Sequence, residues 1–277
     1  MSGTGSDDEK SYGAVTVRED GRLLIRVRSP LPASARPHLL LQLRPKKGKP
    51  EEISRSLALE PAGQDRWQAV LEAAPPLEEG RWDAYVVGAP GEDRVPLLPG
   101  LRDVRTLVSG GGDDVRMPLA VRIPYATKDG RLAVRAWCRT AHAEAGRIVV
   151  AGDSVTVTAR LFGARLGEGA TVSLNRRGRG AAEAQVPLRA EGDEDFSFTV
   201  DYKPLVAAVG ETPVVWDVYV RPFTEAPRVR VARLLDDIAD RKQVFVYPST
   251  TLAGVAARPY YTLDNDLSVQ VTPQHPR

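Results

Sequence analysis

Cysteine is almost absent from this 277-residue chain: Cys138 stands alone. One thiol excludes an intrachain disulfide framework and a cysteine-built zinc site. Histidine is scarce as well, and His38, His142 and His275 lie far apart in sequence, so a histidine metal centre is not expected. Long apolar runs are missing, and none approaches the ~20 residues of a membrane-spanning helix. The opening segment MSGTGSDDEK is acidic and polar, without the basic and apolar blocks of a secretory leader. A cytoplasmic protein is expected, and the lone free thiol agrees with a reducing compartment. Charge of one sign is lacking too: 38 basic residues stand against 36 acidic ones, a formal net charge of +2. That is too small to point to nucleic acid.

What the chain does have is apolar residues at 42%, 24 glycines and 22 prolines, enough for buried cores joined by many turns. At ~150 residues per domain the length fits about two domains. Arginine outnumbers lysine, 31 to seven; coding bias explains this better than function does.

The most informative feature is an internal repeat. Trp82-Asp83-Ala84-Tyr85-Val86 recurs as Trp216-Asp217-Val218-Tyr219-Val220, a shift of 134. Pro124-Tyr125-Ala126-Thr127-Lys128-Asp129-Gly130-Arg131-Leu132 matches Pro259-Tyr260-Tyr261-Thr262-Leu263-Asp264-Asn265-Asp266-Leu267 at 135. Leu57, Leu59 and Trp67 match Val186, Leu188 and Phe196 at 129, and Lys46-Lys47-Gly48-Lys49 matches Arg176-Arg177-Gly178-Arg179 at 130. Small loop insertions account for the drift. The expected organisation is a disordered tail over 1–11, one repeat over 12–137, a connector over 138–145, a second repeat over 146–271 and a short tail over 272–277.

Each repeat reads as seven or eight short strands separated by Gly, Asp and Pro turns. Trp67-Gln68-Ala69-Val70-Leu71 and Phe196-Ser197-Phe198-Thr199-Val200 alternate with period two, the mark of half-buried strands. Helical periodicity is confined to a turn or two near Leu101–Val108 and Leu234–Arg241. The fold class expected is all-β, as two tandem immunoglobulin-like β-sandwiches. The repeated Trp82 and Trp216 would point into each core, and Tyr85 and Tyr219 would face a loop or the partner domain.

Catalytic patterns are not found. A phosphate-cradling Gly-x4-Gly-Lys-Ser/Thr loop is missing, and the glycine-rich Ser109-Gly110-Gly111-Gly112-Asp113-Asp114 precedes no helical pattern. His142, four residues from Cys138, reads as a hinge residue rather than half of a nucleophilic dyad. Asp193-Glu194-Asp195 and Asp264-Asn265-Asp266 have the Asp-x-Asp form that holds a divalent ion against a nucleotide diphosphate. Each, however, aligns with an ordinary turn of the other repeat. No catalytic, cofactor-binding or metal-ligating residue is assigned. The candidate contacts are the basic tips, Lys46, Lys47 and Lys49 with Arg176, Arg177 and Arg179. Two such tips on one chain could hold an anionic polymer bivalently, although a solvated turn is the plainer reading.

The Trp-Asp-x-Tyr-Val strand and the Pro-Tyr-x-Thr-x-Asp-x-x-Leu-x-Val ending resemble the β-domains C-terminal to family-2 glycosyltransferases of bacterial cell-wall glycopolymer synthesis, the teichoic-acid type found in actinobacteria and firmicutes. Leu77–Tyr85, Tyr260–Val269 and the Ala141-His142-Ala143-Glu144 connector carry the likeness, which spans most of the chain after residue 12. The catalytic domain that precedes such modules has no counterpart here, so no catalytic residue carries over. The resemblance implies a non-catalytic binding or assembly module beside a separate glycosyltransferase. Homo-oligomerisation, as a trimer in that family, or docking of an anionic glycopolymer would be its work. Three alternatives stand beside it: a stand-alone carbohydrate-binding module using Trp67, Trp137 or Tyr260-Tyr261 as an exposed platform, a structural scaffold, and an enzyme with an unrecognised site.

Overall fold

The computed structural model describes residues 10–31, 36–45, 50, 53–88, 93–109, 115–178 and 182–274. Strands make up 55% of the chain and helices 5%. Two compact units result, the first within Met1–Asp114 and Ala120–Cys138, the second within Val115–Leu119 and Arg139–Arg277.

The first half of the chain forms β1 (Tyr12–Val17), β2 (Leu23–Arg28), β3 (His38–Leu43), β4 (Ser54–Ala58), β5 (Glu60–Pro61), β6 (Arg66–Leu71), β7 (Gly80–Val87), β8 (Val95–Pro96), β9 (Leu98–Asp103), the one-turn helix α1 (Thr106–Ser109), β10 (Leu119–Ala126) and β11 (Leu132–Arg139). Two sheets result, ordered β5-β6-β2-β1-β9 and β10-β11-β7-β3-β4, with β8 added to β7. Alternation decides which face each strand buries. Val15 and Val17 of β1, Trp67, Ala69 and Leu71 of β6, and Trp82, Ala84 and Val86 of β7 all enter one core. Trp82 is fully buried there, and its indole N–H donates to the Glu78 carbonyl at 2.9 Å.

The second half continues with β12 (His142–Ala151), β13 (Ser154–Phe162), β14 (Thr171–Arg176), β15 (Glu183–Ala190), β16 (Asp195–Asp201), helix α2 (Tyr202–Ala207), β17 (Val214–Arg221), β18 (Val229–Ala232), a 3-10 turn at Arg241–Gln243, β19 (Thr250–Leu252), β20 (Val255–Tyr261) and β21 (Leu267–Pro273). Here the pairings run β14-β15-β16-β13-β12-β18-β17, and β17 returns to β14. The ring is a closed seven-stranded barrel. Its interior is packed with Val155, Val157, Leu174, Phe196, Phe198, Trp216, Val218 and their neighbours.

This closure overturns the expectation of two tandem immunoglobulin-like sandwiches. The physical reason lies in two strands that serve two walls at once. β15 pairs β14 through Glu183–Pro187 and then β16 through Leu188–Ala190. β18 pairs β17 antiparallel at Val229 and Arg230, and β12 in parallel at Val231 and Ala232. The first unit has the same sequence of neighbours but is interrupted at Leu59 and Leu97. Both leucines are buried, and their N–H groups bond the Pro37 and Ala84 carbonyls at 2.9 and 3.0 Å, prolonging the β3–β4 and β7–β8 pairings rather than opening a new one. Pro96 and Pro99 flank Leu97 and offer no N–H to a continuous ladder. The corresponding positions of the second unit are Arg230 and Arg233.

The helical segments depart from the sequence expectation at three places. Asp201 caps α2 by accepting the Lys203 N–H at 2.8 Å, and Tyr202 and Leu205 enter the core. The Leu101–Val108 turn is strand through Asp103 and helix only from Thr106. Leu234–Arg241 contributes only the first residue of a 3-10 turn.

Candidate functional site

The basic tip of the second unit leaves the end of β14. Arg176 is the last residue of that strand and pairs with Trp216. Arg177 follows and grips Asp217 with a two-pronged fork, Nε to Oδ2 at 2.7 Å and Nη2 to Oδ1 at 2.6 Å. In the first unit the same fork joins Arg44 to Asp83, at 2.8 and 2.9 Å. Leu43 pairs with Trp82 as Arg176 pairs with Trp216. The structural register therefore equates Arg44 with Arg177, a shift of 133 rather than the 130 that the basic residues alone imply. Lys46, Lys47, Lys49 and Arg179 lie outside the described residues, as do positions 110–114 of the glycine-rich segment.

The carboxylate at the second fork carries more partners. Arg230 Nη2 reaches Asp217 Oδ1 at 2.6 Å, and the Ser268 hydroxyl donates to the same oxygen at 2.8 Å. Arg230 Nε also lies 3.4 Å from Asp266, which Arg139 meets at 2.9 Å on its other oxygen. Cation and anion thus alternate over the outer face of β17 and β21. Burial alone would push the Asp217 carboxyl up, but the Arg177 hydrogen bonds, the Arg230 charge and Ser268 hold it below the ordinary carboxylate range. Asp217 in turn raises Arg177. Tyr219 lies beneath Arg230 and Arg228, at 4.7 and 5.2 Å from the ring centroid, and Tyr85 beneath Arg94 at 4.8 Å. Both tyrosines are half-buried.

The aromatics named for a carbohydrate platform do not form one. Trp67, Trp137 and Tyr261 are buried. Tyr260 is half-buried, with Lys242 Nζ 5.8 Å from its ring centre. The Asp-x-Asp segments are structural as well. Asp266 belongs to the ion chain above, and Asp193, Glu194 and Asp195 face Arg165 and Arg160. Thr262 and Asn265 close the turn before β21 just as Thr127 and Gly130 close the one before β11. Among the described residues no group of three His, Cys, Asp or Glu could hold a metal ion. His142 begins β12 and is fully buried, with Nε2 2.7 Å from Glu144, whose carboxylate accepts the Leu234 and Leu235 N–H groups.

A feature missed in the sequence is a cleft of about 430 Å³ on the outer face of the first unit, walled by Tyr12, Arg26, Arg28, Arg66 and Gln68 with the Gly100 backbone. Arg26 and Arg28 are two residues apart and share a face of β2; Arg66 starts β6 directly opposite Arg28. The alternation Ile25-Arg26-Val27-Arg28, with Trp67 setting the inward phase of β6, carried the signal.

In sequence, no family and no curated protein matches the chain. Among solved structures, residues 217–571 of S. aureus TarS align with 79% of the chain at 12% identity and a TM-score of 0.31. The chain spans 61% of the length of that structure. A likeness of this size transfers neither function nor site residues. No helix among the described residues is long and apolar enough to cross a membrane, which says nothing of strands.

Proposed function

We propose that the chain is a non-catalytic binding and assembly module acting beside a cell-wall glycopolymer glycosyltransferase, with anionic polymer docked at the basic tips of its two units. The observation that supports this most is the duplicated fork. Arg44–Asp83 and Arg177–Asp217 brace the same strand end in each unit, next in sequence to Lys46, Lys47 and Lys49 in the first and to Arg176 and Arg179 in the second. A braced strand end fixes the base from which the basic side chains would meet a polymer, which lowers the ordering cost of that contact. Two such tips would act bivalently on one long ligand.

Pelleting with insoluble anionic wall polymer, beside light scattering of the chain alone, tests the reading. Replacing Lys46, Lys47, Lys49, Arg176 and Arg179 together by alanine is expected to weaken pelleting about tenfold, or ~1.4 kcal/mol, with the melting temperature unchanged. A strict monomer that pellets with no polymer and copurifies with no transferase would refute it.

A further inference from the structure

We infer that the arginine cleft of the first unit is a binding site for a phosphate group, carried on a small molecule or within a phosphodiester chain. The first argument is the cost of the arrangement. Arg28 and Arg66 are direct cross-strand partners. The Ser29 N–H bonds the Asp65 carbonyl one step further on, so the Arg28–Arg66 position is the non-hydrogen-bonded kind, where side chains come closest. Like charges placed so are destabilising. Arg26 adds a third cation on the same face, opposite Gln68. Arg26, Arg28 and Arg66 are all exposed and have no carboxylate partner among the described residues. Asp65 precedes Arg66 and stands one register step on, opposite Ser29, and Glu60 lies beyond Gln68, but neither carboxylate is ion-paired with the three arginines.

The second unit shows that the fold has a ready alternative. With Trp67 and Phe196 superposed by register, Arg28 falls on Arg160 and Arg66 on Asp195. There the pair is opposite in sign, with Arg160 Nε 4.0 Å from Asp195 and Nη2 3.3 Å from Glu194. Thr158 stands at the Arg26 position and Ser197 at that of Gln68. The first unit has cations where its sister has an ion pair and hydroxyls. An anion from outside is what would relieve the repulsion.

Shape and chemistry narrow the ligand. The arginines wall a concavity rather than a flat sheet. The Tyr12 ring lies 5.4 Å from the Arg28 guanidinium carbon and limits its swing. Gln68 adds a neutral hydrogen-bonding group to the lining. Three guanidinium forks on one face of one cleft suit a multi-oxygen, multiply charged acceptor, and phosphate satisfies more of them than a single carboxylate does. This deepens the docking reading, since it supplies a phosphate-recognising surface to a chain proposed to hold anionic polymer. It stands on different residues from the tips, so the two fail separately.

The test is calorimetric titration and thermal shift on the full chain at low salt, with inorganic phosphate, a soluble polyphosphate, and acetate as the carboxylate control. Phosphate and polyphosphate should raise the melting temperature and acetate should not. Tighter binding of polyphosphate would mark a chain ligand, and equal binding a small one. Arg66→Asp restores the pairing seen in the second unit; it should raise the ligand-free melting temperature while weakening phosphate binding at least about tenfold. Arg26→Gln should weaken binding with the fold intact, and the tip variants should leave inorganic phosphate binding unchanged. No response of the wild type to phosphate or polyphosphate, an equal response to acetate, or undiminished binding by Arg66→Asp would overturn the assignment.

Discussion

Asp217 concentrates more interactions than any acidic residue at the matching place in the first unit. It receives Arg177, Arg230 and Ser268, whereas Asp83 receives the Arg44 fork. Asp217→Asn leaves two arginines facing a neutral amide in a mostly covered position, and a loss of about 3 kcal/mol is expected. The more exposed Asp83–Arg44 pair should cost about 1 kcal/mol on Asp83→Asn. Urea unfolding of both variants measures the difference. The pH dependence has a fixed sign. The Asp217 pKa in the folded chain lies below its value when unfolded, about 3.9. Its stabilisation is complete above that unfolded value and is lost as pH falls through the folded one. Asp103, drawn down to about 2 by hydrogen bonds from Arg105, acts in the same direction. Melting temperatures should hold from pH 7 to about 5 and fall between about 4 and 2, with a shallower fall for Asp217→Asn.

At the scale of elements, the two β-hairpin turns ending in Gly130 and Asn265 make a matched pair. Both residues have positive φ, 69° and 59°, a region that glycine enters freely and asparagine tolerates. A Cβ added at Gly130 would meet no atom within 4 Å, and asparagine is the side chain that best tolerates this φ, so Gly130→Asn should be nearly neutral in thermal melts. Asn265 does more than turn the chain. Its amide donates to the Ile238 carbonyl at 2.8 Å, and its Oδ1 accepts the Arg241 N–H at 3.0 Å. Arg241 is itself buried against Phe245 and Tyr261 and ion-paired with Asp236. Asn265→Ala is therefore expected to cost about 2 to 3 kcal/mol, and Asn265→Gly less, because only the side-chain bonds are lost. The turn itself was legible in the sequence as Thr127–Arg131 and Thr262–Asp266. The second role was not, because Ile238 and Arg241 reach Asn265 only across the fold.

At the scale of the whole molecule, one strand order is finished in two ways. Closing a ring removes sheet edges, so the strands that close it should exchange slowly. Amide protons of Val186, Leu188 and Val229–Ala232 in the second unit are expected to be better protected than those of Leu57, Glu60, Val95 and Leu98 in the first. Hydrogen exchange read by NMR checks this, and equal protection would mean that the breaks at Leu59 and Leu97 carry no energetic weight.

The repeat, the all-β class and the inward tryptophans follow from sequence alone. Alternation along a strand is a local property, and the matching Trp-Asp-x-Tyr-Val segments place Trp82 and Trp216 on the inward phase of their strands. Barrel closure and the arginine cleft were decided only by tertiary structure. Whether β15 and β18 reach a second neighbour depends on strands distant in sequence, and the repulsion between Arg28 and Arg66 exists only once β2 and β6 are in register.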